Sequence, residues 1–325
     1  MASSTIQEII TLVQKEIKGT KYLGSPAELY EPMNYILQLG GKRLRPVTTL
    51  LAANLFIKDV SVALPAAKAI EVFHNFTLVH DDIMDKAPLR RGQPTVHQKW
   101  DDNIAILSGD TLLIEAYNHF LEGNYANLSA LLTVFNQTAI EVCEGQQLDM
   151  NFESRDDVTI DEYINMIKLK TSVLVGGALK LGALVGGASD TEADLIYNFG
   201  VNLGIAFQLQ DDYLDCFGDP EKFGKQVGGD IISNKKTFLL LTAFKEANAE
   251  QNAHLNQVLN ESSNEAEKIE NVLSIYNSLN IPELAQAKMQ LYFDEAIQAL
   301  REIKSADELK KPLIDLAEQL MLRKS

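Results

Sequence analysis

The chain has 325 residues, of which 46% are hydrophobic, and its 45 acidic against 29 basic side chains give a formal net charge of −16. This excess of negative charge disfavours binding to nucleic acid or to anionic membranes, except where basic residues are concentrated locally. The two cysteines, Cys143 and Cys216, lack CxxC spacing. They argue against a zinc site or a disulfide framework and predict a cytoplasmic protein.

Apolar residues recur at helical spacing from the first segment onward, as at Ile9, Val13 and Ile17. Glu8 and Glu16 interrupt that segment, which predicts a first helix rather than a signal peptide. Alternating strand patterns are scarce along the whole chain. We therefore predict an all-α fold of ten or more helices, without a significant sheet, in a single domain covering residues 1–325.

Sequence signals also mark where individual helices begin and which of them is buried. Four segments match the capping box that starts a helix, at 25–28, 159–162, 189–192 and 305–308. Residues 173–188 are apolar, but they are too short and too interrupted by Lys180 to span a membrane. They predict a buried helix that packs closely against another. The polar residues 248–268 predict a surface helix–loop–helix.

Two aspartate clusters stand at the polar ends of apolar segments. The first cluster is Asp81, Asp82 and Asp85, and the second cluster is Asp211, Asp212 and Asp215. Residues four apart share a helical face, so Asp81 and Asp85 project together, with Asp82 about 100° around the axis. Crowded carboxylates favour a cation, and hard oxygen ligands suit Mg²⁺ bound together with substrate phosphates. A solvated acidic surface explains one such cluster equally well, but two copies favour a metal site.

Two basic segments stand out against the acidic background. In GGKRLRP at 40–46, the glycines can end one helix and Pro46 suits the start of the next. Lys42 and Arg45 would then lie in a turn at a helix N-terminus, where anions bind. RRGQP at 90–94 begins five residues after Asp85. It suggests a diphosphate held by metal and guanidinium groups together, the alternative being ion pairs between these arginines and the aspartates.

Eight segments, in order, resemble the motifs of the trans-prenyltransferases, the isoprenyl (polyprenyl) diphosphate synthase family. They are GGKRLRP at 40–46, FHNFTLVHDDIMD at 73–85, RRGQPT at 90–95, GQQLD at 145–149, KTS at 170–172, FQLQDDYLD at 207–215, GK at 224–225 and GDIISNKKT at 229–237. The resemblance implies a helical bundle around a central prenyl-chain cavity. It also implies a homodimer that condenses an allylic diphosphate with isopentenyl diphosphate and has no membrane span.

The resemblance assigns roles residue by residue. The implied magnesium ligands, for about three ions with substrate bound, are Asp81, Asp82, Asp85, Asp211 and Asp215, Asp82 being less directly involved. The implied isopentenyl-diphosphate site is Lys42, Arg45, His74 and Arg91. The implied site for the allylic diphosphate (dimethylallyl, geranyl or farnesyl) is Arg90, Lys170, Thr171, Gln208, Lys225 and Lys235. Gln146 and Asp149 are implied to face the metals, and the implied catalytic residues are Asp81, Asp85, Lys170, Thr171, Gln208 and Asp211.

In this family the allylic diphosphate ionises, the isopentenyl double bond attacks the carbocation, and the released diphosphate accepts the proton. Similar enzymes limit chain length with a large residue five positions before the first aspartate, which is Phe76 here, while Thr77 occupies the next position. This pattern implies a geranylgeranyl product, with farnesyl as the second choice. The basic Arg323 and Lys324 are either a flap over the isopentenyl site or a frayed terminus.

Two other functions fit part of the pattern. A class I terpene cyclase shares the aspartate-rich magnesium chemistry, but it needs no isopentenyl site of the kind formed by Lys42, Arg45 and His74. A non-catalytic subunit of a heteromeric prenyl synthase is the second alternative. Such subunits tend to lose an aspartate cluster, and both clusters are intact in this sequence.

Overall fold

The computed structural model describes residues 5–218, 228–261 and 264–322. Helices make up most of this part of the chain, which confirms the predicted all-α fold. In chain order they are α1 (Ile6–Gly19), α2 (Ala27–Gln38), α3 (Leu44–Asn54), α4 (Leu64–Met84), α5 (Val96–Lys99), α6 (Asp102–Glu122), α7 (Leu128–Glu153), α8 (Ile160–Ile167), α9 (Val173–Gly186), α10 (Asp190–Phe217), α11 (Gly229–Ile232), α12 (Phe238–Glu246), α13 (Ala249–Glu261), α14 (Glu265–Ser278), α15 (Ile281–Glu302) and α16 (Asp307–Met321).

Three shorter elements complete the described structure. A 3₁₀ turn at Val60–Ala63 precedes α4, and a π-helical turn at Lys168–Ser172 joins α8 to α9. Strands β1 (Leu89–Arg90) and β2 (Gln93–Pro94) form an antiparallel hairpin. Arg91 and Gly92 have φ of 53° and 73°, as the tight hairpin turn requires. The RRGQP segment at 90–94 therefore lies in a hairpin.

Helices begin within all four predicted segments, at Ala27, Ile160, Asp190 and Asp307. Thr159 and Glu162 form the expected capping box, and Ser189 and Glu192 exchange the same pair of bonds. The capping box predicted at 25–28 is wrong, because Pro26 is the N-cap of α2 and makes no side-chain hydrogen bond. At 305–308, the Ser305 hydroxyl donates to the Leu55 carbonyl, 2.9 Å away.

Residue contacts divide the chain into two compact units. The first unit comprises Met1–Phe135, Ala178–Ile196 and Lys304–Pro312. The second unit comprises Asn136–Gly177, Tyr197–Ile303 and Leu313–Ser325. The single domain expected over residues 1–325 stays a prediction.

In the first unit, α4 packs along α6 around a group of aromatic side chains. Phe135 meets Phe73, Tyr117 and Phe120 edge-on, with ring centroids 5.2, 5.1 and 5.1 Å away. Such edge-to-face contacts add to the stabilisation from burial. This packing fixes α4, which carries His74 and the first aspartate cluster.

In the second unit, α8, α10, α12, α14 and α15 surround one apolar core. Tyr163 and Tyr276 are among its largest fully buried side chains, with Leu209, Val272 and Ile281 between them in the same cluster. The core fixes α10, which carries the second aspartate cluster. The helix pair α13 and α14 confirms the predicted helix–loop–helix at 248–268.

One helical stretch in the described residues, Ile160–Gly186, is long and apolar enough to cross a membrane by length and composition alone, and more than half of its most apolar part is buried. The core helix of a soluble protein meets the same criterion, so this is weak evidence for a membrane span. Its α9 portion packs closely on α3, as predicted. A Cβ added at Gly182 would come 1.9 Å from the carbonyl oxygen of Thr49.

Candidate active site

The basic turn at 40–46 is built on left-handed backbone. Gly40, Gly41 and Arg43 have φ of 82°, 122° and 49°, so the chain leaves α2 and enters α3 through a sharp turn. The buried Arg43 guanidinium pairs with the buried Glu71 of α4 and also donates to the Leu37 carbonyl. These contacts tie the turn to α4 and leave Lys42 exposed.

Arg45 and His74 meet beside this turn. Arg45 Nη1 lies 3.1 Å from His74 Nε2. Burial, followed by the neighbouring guanidinium groups of Arg45, Arg91 and Arg90, holds the pKa of His74 well below its usual value of 6.5. His74 is therefore neutral, and its Nε2 accepts a hydrogen bond from the Arg45 guanidinium. Among the described residues, Arg45 Nε and His74 Nδ1 are buried without a hydrogen-bond partner, so both remain available to a ligand.

The hairpin arginines have different partners. Arg90 donates from Nε and Nη2 to the two carboxylate oxygens of Asp82, at 2.8 and 2.7 Å, and Asp82 is only 1% exposed. Arg91 donates to the Gly40 carbonyl, and its guanidinium lies against Gly41, where a Cβ would come 2.7 Å from Cζ. The alternative of an ion pair between an arginine and an aspartate thus holds for Arg90.

Asp81 and Asp85 occupy the end of α4 as the spacing predicts. The backbone N–H of Asp85 donates to the Asp81 carbonyl at 2.8 Å, so the two residues are one helical turn apart. Asp85 is exposed. The pair Asp101–Asp102, to which we assign no function, has a structural role, since Asp101 caps α6 through the Ile104 N–H at 2.8 Å.

In the second aspartate cluster the middle residue is also buried, but its partner is neutral. The Tyr163 hydroxyl donates to Asp212, and both side chains are buried. Burial raises the pKa of Asp212 to about 7, with Asp230 and Asp211 adding to the rise and the Tyr163 hydrogen bond opposing it. Asp212 is therefore partly protonated near neutral pH.

The short helix α11 supports the same cluster. The backbone N–H of Asp230 donates to Asp215 Oδ2 at 3.0 Å, and the N–H of Gly228 donates to the Asp215 carbonyl. Burial works against the charge of Lys235, but the carboxylates of Asp230, Asp212 and other aspartates outweigh it and raise the pKa of this lysine. Lys235 is thus held as a cation among carboxylates.

The KTS segment lies in the π-helical turn. The ammonium group of Lys170 pairs with Asp149 of α7, and the Ser172 hydroxyl donates to the Ile167 carbonyl at 3.3 Å. Thr171 and Gln208 are half-buried, and Gln146 is buried. Lys225, Arg323 and Lys324 lie outside the described residues.

The carboxylate groups suit a hard cation but do not form a closed cage. In the part of the chain that the structure describes, no group of three or more His, Cys, Asp or Glu side chains is arranged to hold a metal ion. Mg²⁺ is commonly bound by one or two carboxylates together with substrate phosphates. The all-oxygen donor set of each aspartate cluster therefore fits Mg²⁺ that arrives with a diphosphate.

Three residues with structural roles at these positions escaped the sequence reasoning. Glu71 and Arg43 form a buried ion pair 28 positions apart, and Tyr163 reaches Asp212 over 49 positions. Only the apolar context of Glu71, in the middle of a buried helix, marks it in the sequence. Nothing local marks Tyr163 as the partner of Asp212.

Comparison with known proteins identifies the family of the chain. Residues 26–276 match the model of the polyprenyl synthetase family. The chain belongs to this family. It is therefore a prenyltransferase, and the resemblance read from the eight motifs is confirmed.

Individual polyprenyl synthetases are similar along most of the chain. A geranylgeranyl diphosphate synthase of Methanosarcina mazei is 45% identical over 223 residues, which are 68% of this chain and 69% of the relative. A crystal structure of a geranylgeranyl pyrophosphate synthase is 48% identical, covers 99% of this chain and 100% of its own, and has a TM-score of 0.93. A polyprenyl synthase of Caulobacter crescentus, crystallised with calcium and isoprenyl diphosphate, is 26% identical, covers 100% of both chains and has a TM-score of 0.84.

Proposed function

We propose that this prenyltransferase condenses an allylic prenyl diphosphate with isopentenyl diphosphate and that geranylgeranyl diphosphate is its main product. The observation that carries this proposal is the contact between Arg45 and His74, close to the guanidinium groups of Arg90 and Arg91. Arg45 Nε and His74 Nδ1 are buried there without a hydrogen-bond partner in the protein. A terpene cyclase has no use for such an isopentenyl-diphosphate site. The product named for the relatives supports the geranylgeranyl length.

In the first unit, Lys42, Arg45, His74 and Arg91 bind the diphosphate of isopentenyl diphosphate. Arg45 and Arg91 supply fixed guanidinium donors, and burial together with neighbouring cations lowers the pKa of both arginines. An incoming diphosphate relieves that repulsion, because its negative charge favours each cation. Arg90, which we assign to the allylic diphosphate, keeps its contact with Asp82 and uses its remaining donor for that substrate.

In the second unit, Lys170, Thr171, Gln208 and Lys235 serve the allylic substrate, together with Lys225 beyond the described residues. The two lysines donate to diphosphate oxygens as the allylic C–O bond breaks. The Thr171 hydroxyl and the Gln208 carbonyl stabilise the positive charge that develops on carbon. The isopentenyl double bond then forms the new C–C bond, and the released diphosphate takes the proton that is lost.

Asp81, Asp85 and Asp211 are the proposed magnesium ligands, with Asp215 in support and Asp82 less directly involved. When bound, Mg²⁺ neutralises charge on the departing diphosphate. The calcium and isoprenyl diphosphate present with the Caulobacter crescentus neighbour support a divalent cation in this role. The chain's own contribution is to hold Asp81 and Asp85 on one helical face and Asp215 on the α11 N–H.

A single assay tests the function against its alternatives. The purified protein is incubated with Mg²⁺, farnesyl diphosphate and labelled isopentenyl diphosphate. A longer labelled prenyl diphosphate is the expected product. Unlabelled hydrocarbon would indicate a terpene cyclase instead, and no conversion would indicate a non-catalytic subunit.

Product length is proposed to depend on Phe76. Its ring packs edge-on against His80, with centroids 4.7 Å apart, and lies 5.6 Å from Phe73. The neighbouring Thr77 is satisfied locally, since its hydroxyl donates to the His74 carbonyl at 2.8 Å. We expect Phe76→Ala to remove the floor of the chain pocket and lengthen the product by at least one isoprene unit, as measured by chromatography of the dephosphorylated products. The control is Phe73→Leu in the buried core, and an unchanged product with Phe76→Ala would refute the assignment.

We also propose a cytoplasmic homodimer. Leu107, Ile114 and Leu121 repeat every seven residues along α6 and are 58%, 59% and 68% exposed. A stripe at this spacing lies on one side of a helix and suits contact with the same stripe of a second copy. We expect Ile114→Asp to convert the dimer to a monomer in light scattering, whereas Leu291→Asp on α15 leaves the mass unchanged. Equal masses for both variants would argue against α6 as the interface.

A further inference from the structure

Two glycines from other helices of the second unit lie close to the π-helical turn at Lys168–Ser172. A π turn is wider than an α turn and is frequent at functional sites. The turn displaces Lys170 and Thr171 from the register of a continuous α-helix, so something must fix where they lie. The Ser172 hydroxyl satisfies one freed carbonyl, that of Ile167, at 3.3 Å.

Gly145 of α7 packs directly against the backbone of this turn. A Cβ added at Gly145 would lie 2.1 Å from Lys170 N, 2.5 Å from Lys170 Cα and 2.6 Å from Leu169 C. All three are backbone atoms, so no side-chain rotation could relieve the contact. Only glycine lets α7 and the π turn come this close.

Asp149 lies on the same face of α7, four residues after Gly145, and pairs with the Lys170 ammonium group. The helix α7 therefore contacts Lys170 twice. Gly145 fixes how closely the Lys170 backbone approaches α7, and Asp149 fixes the direction of the Lys170 side chain. Either contact alone would leave the lysine free to swing or to shift along the helix.

A second glycine, on α10, lies against the same π turn. A Cβ at Gly204 of α10 would come 2.7 Å from Ser172 Cβ and 2.8 Å from Ser172 Cα. Gly204 precedes Gln208 by four residues and Asp211 by seven, so the three share a stripe of α10. The π turn is thus held by glycines on the two helices that carry Asp149 and the second aspartate cluster.

We infer that Gly145 is a positioning residue that sets Lys170 for the allylic diphosphate, with Gly204 in the same role toward Ser172. This inference rests on the proposed function. It predicts a selective effect on the allylic substrate, because the isopentenyl-diphosphate residues Lys42, Arg45, His74 and Arg91 all belong to the first unit.

Gly145→Ala tests the inference, with Gly177→Ala as the matched control. Gly177 is also a tight helical glycine of the second unit, but an added Cβ there would meet only the Thr138 side chain, at 2.6 Å from Oγ1. We expect Gly145→Ala to lower kcat/KM for farnesyl diphosphate by about 100-fold, since misplacement by about 1 Å can have that effect. The KM for isopentenyl diphosphate should stay within about twofold, because Gly145 contacts none of the residues assigned to that substrate.

A double-mutant cycle separates positioning from general destabilisation. In a Lys170→Met background, Gly145→Ala should add less than about a tenfold loss if it acts through Lys170, and its full loss if it does not. Equal changes in the KM of both substrates, or the same effect from Gly177→Ala, would overturn the inference. Should Gly145→Ala fail to fold, Ser172→Ala loosens the turn by one hydrogen bond and should show the same selectivity at smaller size.

The proposed function can fail independently of this inference. If the wild-type protein does not elongate farnesyl diphosphate, calorimetry with inorganic diphosphate and Mg²⁺ still compares Gly145→Ala with wild type. If Gly145→Ala binds diphosphate more weakly than wild type, the positioning role of Gly145 is supported. If the two proteins bind diphosphate equally well, that role is refuted.

Discussion

The two aspartate clusters share a sequence pattern but are neutralised in different ways. In the first cluster the middle residue, Asp82, is buried against a charged partner, the Arg90 guanidinium. In the second cluster the middle residue, Asp212, is buried against the neutral hydroxyl of Tyr163. The same DDxxD spacing therefore does not fix the charge of its buried member, which depends on the partner supplied by another helix or hairpin.

The surroundings of the clusters differ in the same sense. Burial and the surrounding cations hold the pKa of His74 well below 6.5, whereas burial and the surrounding carboxylates raise the pKa of Asp212 to about 7. Each region carries an excess of one charge that a ligand of the opposite charge would relieve. These opposite charges agree with the proposed diphosphate at the first region and the proposed metal ion at the second.

The largest expected effect comes from neutralising Asp82, the buried carboxylate of the first cluster. Asp82→Asn leaves the Arg90 guanidinium beside a buried neutral amide. Breaking a buried ion pair costs about 3–5 kcal/mol, and we expect about 3 kcal/mol because Arg90 keeps 25% of its side chain exposed. Urea unfolding at neutral pH measures the loss.

The exposed Asp85 provides the control for this variant. Asp85→Asn should leave the unfolding free energy within about 0.5 kcal/mol of wild type while lowering activity, because its proposed role is in metal binding. If Asp82→Asn were as stable as Asp85→Asn, the Arg90 contact would not be a structural ion pair.

Removing Tyr163, the neutral partner of Asp212, should give a smaller loss of stability that depends on pH. Tyr163→Phe leaves Asp212 buried without its donor, at a cost of about 1–3 kcal/mol. The folded protein binds a proton at Asp212 more tightly than the unfolded chain, so stability from this group falls as pH rises toward 7. Without Tyr163 the pKa of Asp212 rises further, and the loss should be greater at pH 8 than at pH 5.5 in thermal unfolding.

Tyr213→Phe is the matched control, since the Tyr213 hydroxyl accepts a hydrogen bond from Gln286, 2.9 Å away, in an exposed position. Its cost should stay within about 0.5 kcal/mol at both pH values. A loss from Tyr163→Phe that is the same at both pH values would mean that Asp212 does not titrate in this range.

The smallest effect concerns His74. Its contribution to stability changes with pH in the direction opposite to that of Asp212. Its depressed pKa means that the unfolded chain binds a proton that the folded protein does not. Stability should therefore fall as pH drops below 6.5, by up to about 1.4 kcal/mol for each unit. His74→Gln should flatten this dependence, whereas replacing the exposed His254 with Gln should not. A wild-type profile without a fall between pH 6.5 and 5 would contradict the neutral state of His74.

Much of the fold could be predicted because its signals are local. Helical periodicity located Ile9, Val13 and Ile17, which are all buried in α1. The capping box at Thr159 depends on two residues three positions apart, so the sequence was sufficient for it. The Ser305 hydroxyl, by contrast, donates to a carbonyl 250 positions away, a contact that no local pattern marks.

The sequence by itself determined the helical fold, the family motifs and the facing of Asp81 and Asp85, because each depends on spacing along one chain segment. Only the tertiary structure decided which carboxylates are buried and what they contact. Asp82 with Arg90, Asp212 with Tyr163 and Glu71 with Arg43 are joined by packing between separate elements. Since burial and partner together set the charge of such groups, their protonation could be assigned only after the fold had placed them.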